Sequence, residues 1–126
     1  MKHKYYNIKT KSSDGITFDS YREACRWEEL RLLERSGAIT ELKRQVRYEL
    51  IPAQYDTVER FGKDGKKLKD GTRLAERKVE YVADFVYHDA KSGELIVEDT
   101  KGIRTKDYII KRKLMRMVHG IKVREV

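Results

Sequence analysis

The chain of 126 residues contains a single cysteine, Cys25. One thiol cannot form a disulfide framework or a cysteine-based zinc site, and it fits a reducing compartment, so a cytoplasmic protein is expected. Cys25 lies within an apolar-periodic segment and reads as a small core residue rather than a nucleophile. No apolar run approaches the roughly 18 residues of a spanning helix, so no membrane partner is expected. Met1 to Ser13 is basic and polar, without the apolar core of a signal peptide. His3, His88 and His119 are far apart in sequence, without HExxH or HNH-like spacing, and read as surface residues. Gly62, Gly65 and Gly71 lack the Lys-Ser/Thr ending of a phosphate loop. There is no internal repeat and no low-complexity linker.

Charge is abundant and one-sided. Lys and Arg number 29 against 21 Asp and Glu, a net charge of +8 with a pI near 9.5. Such a balance points to a polyanionic partner, nucleic acid first. The hydrophobic 39% falls in periodic runs, so a single folded domain with a heavily charged surface is expected, not a disordered chain.

Residues 1–17 read as an N-terminal arm, with a short strand around Tyr5 to Ile8 and a turn at Asp14-Gly15. Ser20, with Glu23 three residues on, is a capping box that opens a helix running to about Arg35 and ending at Ser36-Gly37. Ile39 to Leu42 reads as a short connection, and Gln45 to Ile51 as a strand ended by Pro52. Val58 to Phe61 is a strand or half of a hairpin. Residues 62–71 carry three glycines and four lysines and read as a basic mobile loop or the mobile tip of a hairpin.

Val79 to Tyr87 is the clearest strand, with Tyr81, Ala83, Phe85 and Tyr87 on one face and Val82, Asp84 and Val86 on the other. Asp89 to Gly93 is a turn, and Glu94 to Lys101 pairs back as a second strand ended by Gly102. A basic helix follows from Thr105 to Val118, with Ile110, Leu114, Met117 and Val118 as its apolar stripe and Gly120 at its end. Ile121 to Val126 closes the chain as a strand. The order implies an α/β or α+β domain with a central mixed sheet.

The candidate chemistry lies in the main hairpin. Asp84 interrupts an apolar strand, where a carboxylate is costly without compensation. Period-2 alternation places Asp99 and Lys101 on one face, about 7 Å apart at roughly 3.3 Å per residue, and Ile96, Glu98 and Thr100 on the other. Hairpin pairing brings Asp84 beside Asp99. Two carboxylates and an ammonium on one face form a metal and phosphate site, and hard oxygen ligands suit Mg²⁺.

Ala83-Asp84-Phe85 followed by Val97-Glu98-Asp99-Thr100-Lys101-Gly102 resembles the PD-(D/E)XK nuclease signature, with Ala83 where the family's name has Pro. From Phe18 onward the chain also resembles a group of short basic phage proteins of this layout. The resemblance implies an α/β fold with a restriction-endonuclease-like core. Asp84 matches the first acid, and Asp99-Thr100-Lys101 matches the (D/E)XK triplet. Ser20-Tyr21-Arg22-Glu23 matches the helix-borne Ser-x-x-Glu. Asp84, Asp99 and the Thr100 carbonyl are then expected to hold Mg²⁺, with Mn²⁺ as a substitute. Glu23 would bind a second metal or a metal-bound water, and Lys101 would orient water or stabilise developing charge.

Among the helix acids Glu23, Glu28, Glu29 and Glu34, the stripe shared with Trp27 and Leu30 favours Glu23. Glu98 and Gln45 are kept as further site candidates. Lys106, Lys111, Arg112, Lys113 and Arg116 on the second helix, and Lys63, Lys66, Lys67 and Lys69 in the basic loop, are the DNA-binding candidates. The expected function is metal-dependent DNA hydrolysis. Among compact basic enzymes of the family, Holliday-junction resolvases are the best match, which implies a homodimer on branched DNA and products with 5′-phosphates. The alternatives are a nickase, a restriction-type or repair endonuclease of the same fold, and a non-catalytic DNA-binding module.

Overall fold

The computed structural model describes residues 9–101 and 103–126. The strand expected at Tyr5 to Ile8 and the break expected at Gly102 lie outside the described residues. Two short strands, β1 (Thr10–Lys11) and β2 (Thr17–Phe18), pair antiparallel around a turn. Residues 10–17 are therefore not a free arm. Asp14 accepts from Trp27 Nε1 (2.9 Å) and pairs with Arg31, while Ser13 donates to Glu28, so the turn is tied to the first helix.

Helix α1 spans Tyr21–Arg35. Ser20 is extended, and its side chain accepts from Glu23 N at 3.1 Å, the cap that the sequence implied. The helix buries Glu23, Ala24, Trp27 and Leu30 along one stripe. The chain leaves through Ser36 and Gly37, whose φ of 84° suits a residue without Cβ.

The central sheet has the order β3-β6-β7-β8. Strand β3 (Ile39–Ile51) pairs antiparallel with β6 (Val79–Asp89), which pairs antiparallel with β7 (Leu95–Asp99). Helix α2 (Lys106–His119) then returns the chain so that β8 (Arg124–Glu125) lies parallel to β7. The class is α/β with a mixed sheet and two helices. Ile39 to Leu42 is strand rather than connection: Ile39 and Thr40 pair with Asp89 and His88 across an irregularity in the ladder. The strand expected over Glu94 to Lys101 is shorter, because Thr100 leaves the ladder to bond Asp84.

Two cores flank the sheet. Phe18, Ala24, Trp27, Leu30, Ile39, Phe85, Tyr87 and Ile96 form one, under α1. Leu50, Tyr81, Ala83, Val86, Val97, Tyr108, Met115 and Val123 form the other, under α2. This corrects the expected alternation: Tyr81 and Ala83 do not share a core with Phe85 and Tyr87. The change falls at Asp84, opposite Gln45, whose φ of 52° departs from strand geometry while the register of β3 and β6 on either side is unchanged. The stripe expected on α2 is corrected except at Leu114, which packs against the second core. Tyr108 and Met115 are buried, whereas Ile110, Met117 and Val118 are exposed.

The 62–71 region is the tip of a hairpin, half turn and half strand, rather than an open loop. Among the described residues β4 (Gln54–Phe61) and β5 (Lys67–Glu76) pair with each other alone, leaving a short turn at residues 62–66.

Glu98 is fully buried on β7, and a paired guanidinium compensates its charge. Arg26 of α1 donates from Nε to Oε1 (2.8 Å) and from Nη2 to Oε2 (2.6 Å), and Tyr87 donates to Oε2. This fork pins α1 to the strand that carries Asp99. Removing one partner of a buried pair strands the other charge. Arg26→Ala is therefore expected to cost about 3–5 kcal/mol, read as a lower denaturant midpoint at unchanged slope.

Candidate active site

Glu23, Asp84, Asp99 and Lys101 come from three elements and the loop after β7, and they share one cleft of about 250 Å³. Asp19, Ser20, Val82, Thr100, Ile103 and Thr105 complete its lining. The helix cap sets one wall: Ser20 fixes the start of α1, which puts Glu23 in the first turn with its side chain turned to the sheet. The other wall is the point where β6 and β7 part. There Asp84 Oδ2 accepts from Thr100 N and from Thr100 Oγ1, both at 2.8 Å.

Asp99 is buried, and its two oxygens have different partners. Tyr81 donates to Oδ2 at 2.6 Å, and Lys101 Nζ lies 3.3 Å from Oδ1. The Lys101 ammonium also sits 4.2 Å from the centre of the Tyr108 ring, so a carboxylate and a π-face both hold it in place. Gln45 reaches the site as well, with Nε2 3.4 Å from Glu23 Oε1. Its left-handed backbone is a strained conformation for a residue with Cβ, and it lies where the strand pair opens toward Glu23.

Four carboxylates, those of Asp19, Glu23, Asp84 and Asp99, face one ammonium in this cleft. Burial raises Glu23 to about 7, and the charges of Asp84 and Asp19 add to the rise. Burial and the charge of Asp99 raise Asp84 to about 6, against the two bonds from Thr100. Tyr81 is raised by burial and by its bond to Asp99, so it stays a donor.

The other sequence candidates are placed elsewhere. Glu98 faces the α1 core, bound to Arg26, and does not line the cleft; adjacent positions on a strand point to opposite faces. Glu28 bonds Ser13, Glu29 pairs with Arg26, and Glu34 accepts from Leu42 N. Cys25 is half-buried beside Tyr21 and Arg26 rather than in the core. On α2, Lys111 lines a groove continuous with Asp99 and Lys101. Arg112, Lys113 and Arg116 line a second groove with Lys122, where Arg112 pairs with Glu125 at 3.5 Å. Lys106 is exposed on the first turn. Lys63, Lys66, Lys67 and Lys69 all belong to the β4–β5 hairpin.

Several contributors had no signal in the motif. Asp19 was legible in principle, since it directly precedes the cap. Arg44 stacks 4.4 Å from the Phe18 ring centre and its charge favours ionised Glu23. Arg22 donates to the Lys101 carbonyl at 2.6 Å. These contacts depend on how α1 is set against β3 and β7, which no local pattern states.

Among the described residues, no three acid, His or Cys side chains are arranged to hold a metal ion together. The donor set still suits Mg²⁺, which keeps several waters and uses only one or two carboxylates with substrate phosphates. The raised Asp84 and Glu23 report carboxylates short of positive charge, the condition a hard cation relieves.

Both groups bind protons more tightly in the folded chain than their ordinary values of 3.8 and 4.5. Their contribution to stability is therefore full below those values and is lost as pH rises through about 6 and about 7. In chelator, Tm is expected to fall across that window. Asp84→Asn should flatten the fall and raise Tm at the alkaline end, with about 4 °C for each kcal/mol relieved. Differential scanning fluorimetry across pH checks this.

No curated protein and no solved structure gives a significant match. A family model matches residues 2–124, and the chain belongs to that family, described as "Protein of unknown function (DUF1064)".

Proposed function

We propose that this chain is a metal-dependent DNA endonuclease that hydrolyses phosphodiester bonds in branched DNA and works as a homodimer. One observation carries the reading: Glu23 from α1, Asp84 from β6 and Asp99 from β7 meet around one cleft beside Lys101. Under this reading the mixed sheet between two helices is a restriction-endonuclease-like core. Nucleic acid as substrate is supported by the net charge of +8 and by the cationic face of α2, whose Lys111 adjoins the cleft.

Asp84, Asp99 and the Thr100 main chain would hold Mg²⁺ or Mn²⁺, with Glu23 as the outer ligand. When bound, the ion supplies positive charge to the phosphate and lowers the proton affinity of its water. The protein's own groups do the rest. Thr100 holds Asp84 by two bonds, and Tyr81 holds Asp99, so both carboxylates are oriented before substrate arrives. Lys101 is kept at the cleft by Asp99 and the Tyr108 ring, where its ammonium can stabilise charge on a phosphate oxygen. Without a cation, Glu23 is partly protonated at neutral pH.

Lys101→Ala is expected to abolish cutting, by about 100-fold or more, while folding and DNA binding persist. The assay uses four-way junctions, flaps, linear duplex and single strands, with Mg²⁺, Mn²⁺ or EDTA. Paired symmetric nicks confined to junctions support a resolvase. Cutting of linear duplex favours a nickase, restriction-type or repair enzyme. Binding without cutting in either metal leaves a non-catalytic module. Wild-type cleavage by the Lys101 variant removes that residue from the mechanism.

A further inference from the structure

The β4–β5 hairpin stands apart from both cores. Among the described residues its strands bond only to each other, and neither packs against another helix or strand beyond marginal contact. Nearly every residue in it is exposed, including Tyr55 and Phe61 at 62% and 59%. A two-stranded hairpin without an apolar cover is marginal in water, so an arm of this length calls for a partner.

The partner's chemistry is written in the distribution of charge. Residues 60–69 hold Arg60, Lys63, Lys66, Lys67 and Lys69 against one acid, Asp64. Asp64 is engaged in the turn, accepting from Lys66 N at 3.0 Å. Among the described residues only Lys67 of these cations makes ion pairs, both long, at 3.5 Å to Glu59 and 4.0 Å to Asp70. The acids Asp56, Glu59, Asp70 and Glu76 sit further toward the base. Lysines that only guard open strand edges against aggregation would run along the strands; these gather at the end. Gly71 adds to the local build, since Arg60 crosses the space its side chain would fill, 2.7 Å from an added Cβ.

Size selects the ligand. Eight residues of β4 extend about 26 Å at roughly 3.3 Å each, and a two-stranded ribbon fits the B-DNA major groove, about 12 Å wide. The major groove of A-form RNA is too deep and narrow for it. We propose that the β4–β5 hairpin is a DNA-reading ribbon whose tip enters the major groove of duplex DNA, with Lys63, Lys66 and Lys69 on phosphates and Phe61 against the groove's apolar edge. This rests on the proposed function in taking DNA as partner, and not on cleavage.

The test is fluorescence anisotropy on labelled duplex DNA in EDTA, across a salt series, with the full chain. The triple variant Lys63→Gln, Lys66→Gln, Lys69→Gln changes only exposed side chains, and its circular dichroism and Tm are checked first. Expected are a loss of affinity of about 10- to 100-fold and a salt slope shallower by about 2 to 3. Equal affinity and slope in the variant, while wild type binds, overturn the ribbon and leave the nuclease reading intact. Loss of binding in the variant, from a wild type that never cuts with Mg²⁺ or Mn²⁺, upholds the ribbon and overturns the nuclease. Duplex RNA competing as well as DNA overturns groove entry. So does a wild-type dimer that Tyr55→Ser converts to monomer in light scattering with DNA affinity unchanged, since a second copy would then cover the arm.

Discussion

Carboxylates crowded in a partly buried cleft cannot all ionise without outside positive charge, and the arrangement of this molecule follows from how that repulsion is handled. Glu98 and Asp99 are consecutive and both buried, yet they are treated differently. Glu98 receives a two-pronged guanidinium from Arg26 and a phenol from Tyr87. Its charge is balanced within the protein, and the balance fixes α1 on the sheet. Asp99, on the opposite face, shares its lysine with a cleft that holds three further acids. The compensated pair is architecture; the undercompensated group is where the proposed function would place a cation.

The two are mechanically linked. The Arg26–Glu98 fork sets the height of α1 over β7, and that height puts Glu23 against the gap where Asp84 faces Asp99. The gap opens where the strand pair changes the core it serves, at Gln45 and Asp84. The left-handed backbone at Gln45 costs on the order of 1 kcal/mol or more, and the departure from strand geometry falls beside the cleft rather than at a turn.

Much of this was legible in the sequence. Ser20 and Glu23 mark the cap, Trp27 and Leu30 mark the buried stripe of α1, and strand alternation separates Asp99 from Glu98 and joins it to Lys101. These are local rules with local causes. The readings that failed needed long-range information. Gln45 carries no composition signal for a positive φ, so the core switch along β6 was invisible. Residues 67–71 combine lysines with a glycine and look like loop, yet they are held as strand by pairing with Val58, Arg60 and Phe61. On α2, counting apolar residues chose Ile110 and Met117, whereas the sheet buries Tyr108 and Met115; the direction from which a helix is covered is set by its neighbours.

Charge has opposite signs at different distances from the cleft. The chain as a whole is strongly cationic, and α2 extends that field toward the site, a field that would draw in the polyanion of the proposed function. At the cleft itself four carboxylates meet one ammonium, and a phosphate arriving there is repelled. A basic surface around an acidic pocket is poorly suited to bind a phosphate directly, because the last few ångströms oppose what the long-range field favours. Under the proposed function a divalent cation would resolve the conflict, giving the acids their missing counter-charge and the phosphate a partner. On the same reading, that two-layer field is what sets these acids apart from Glu98, whose charge Arg26 balances within the protein.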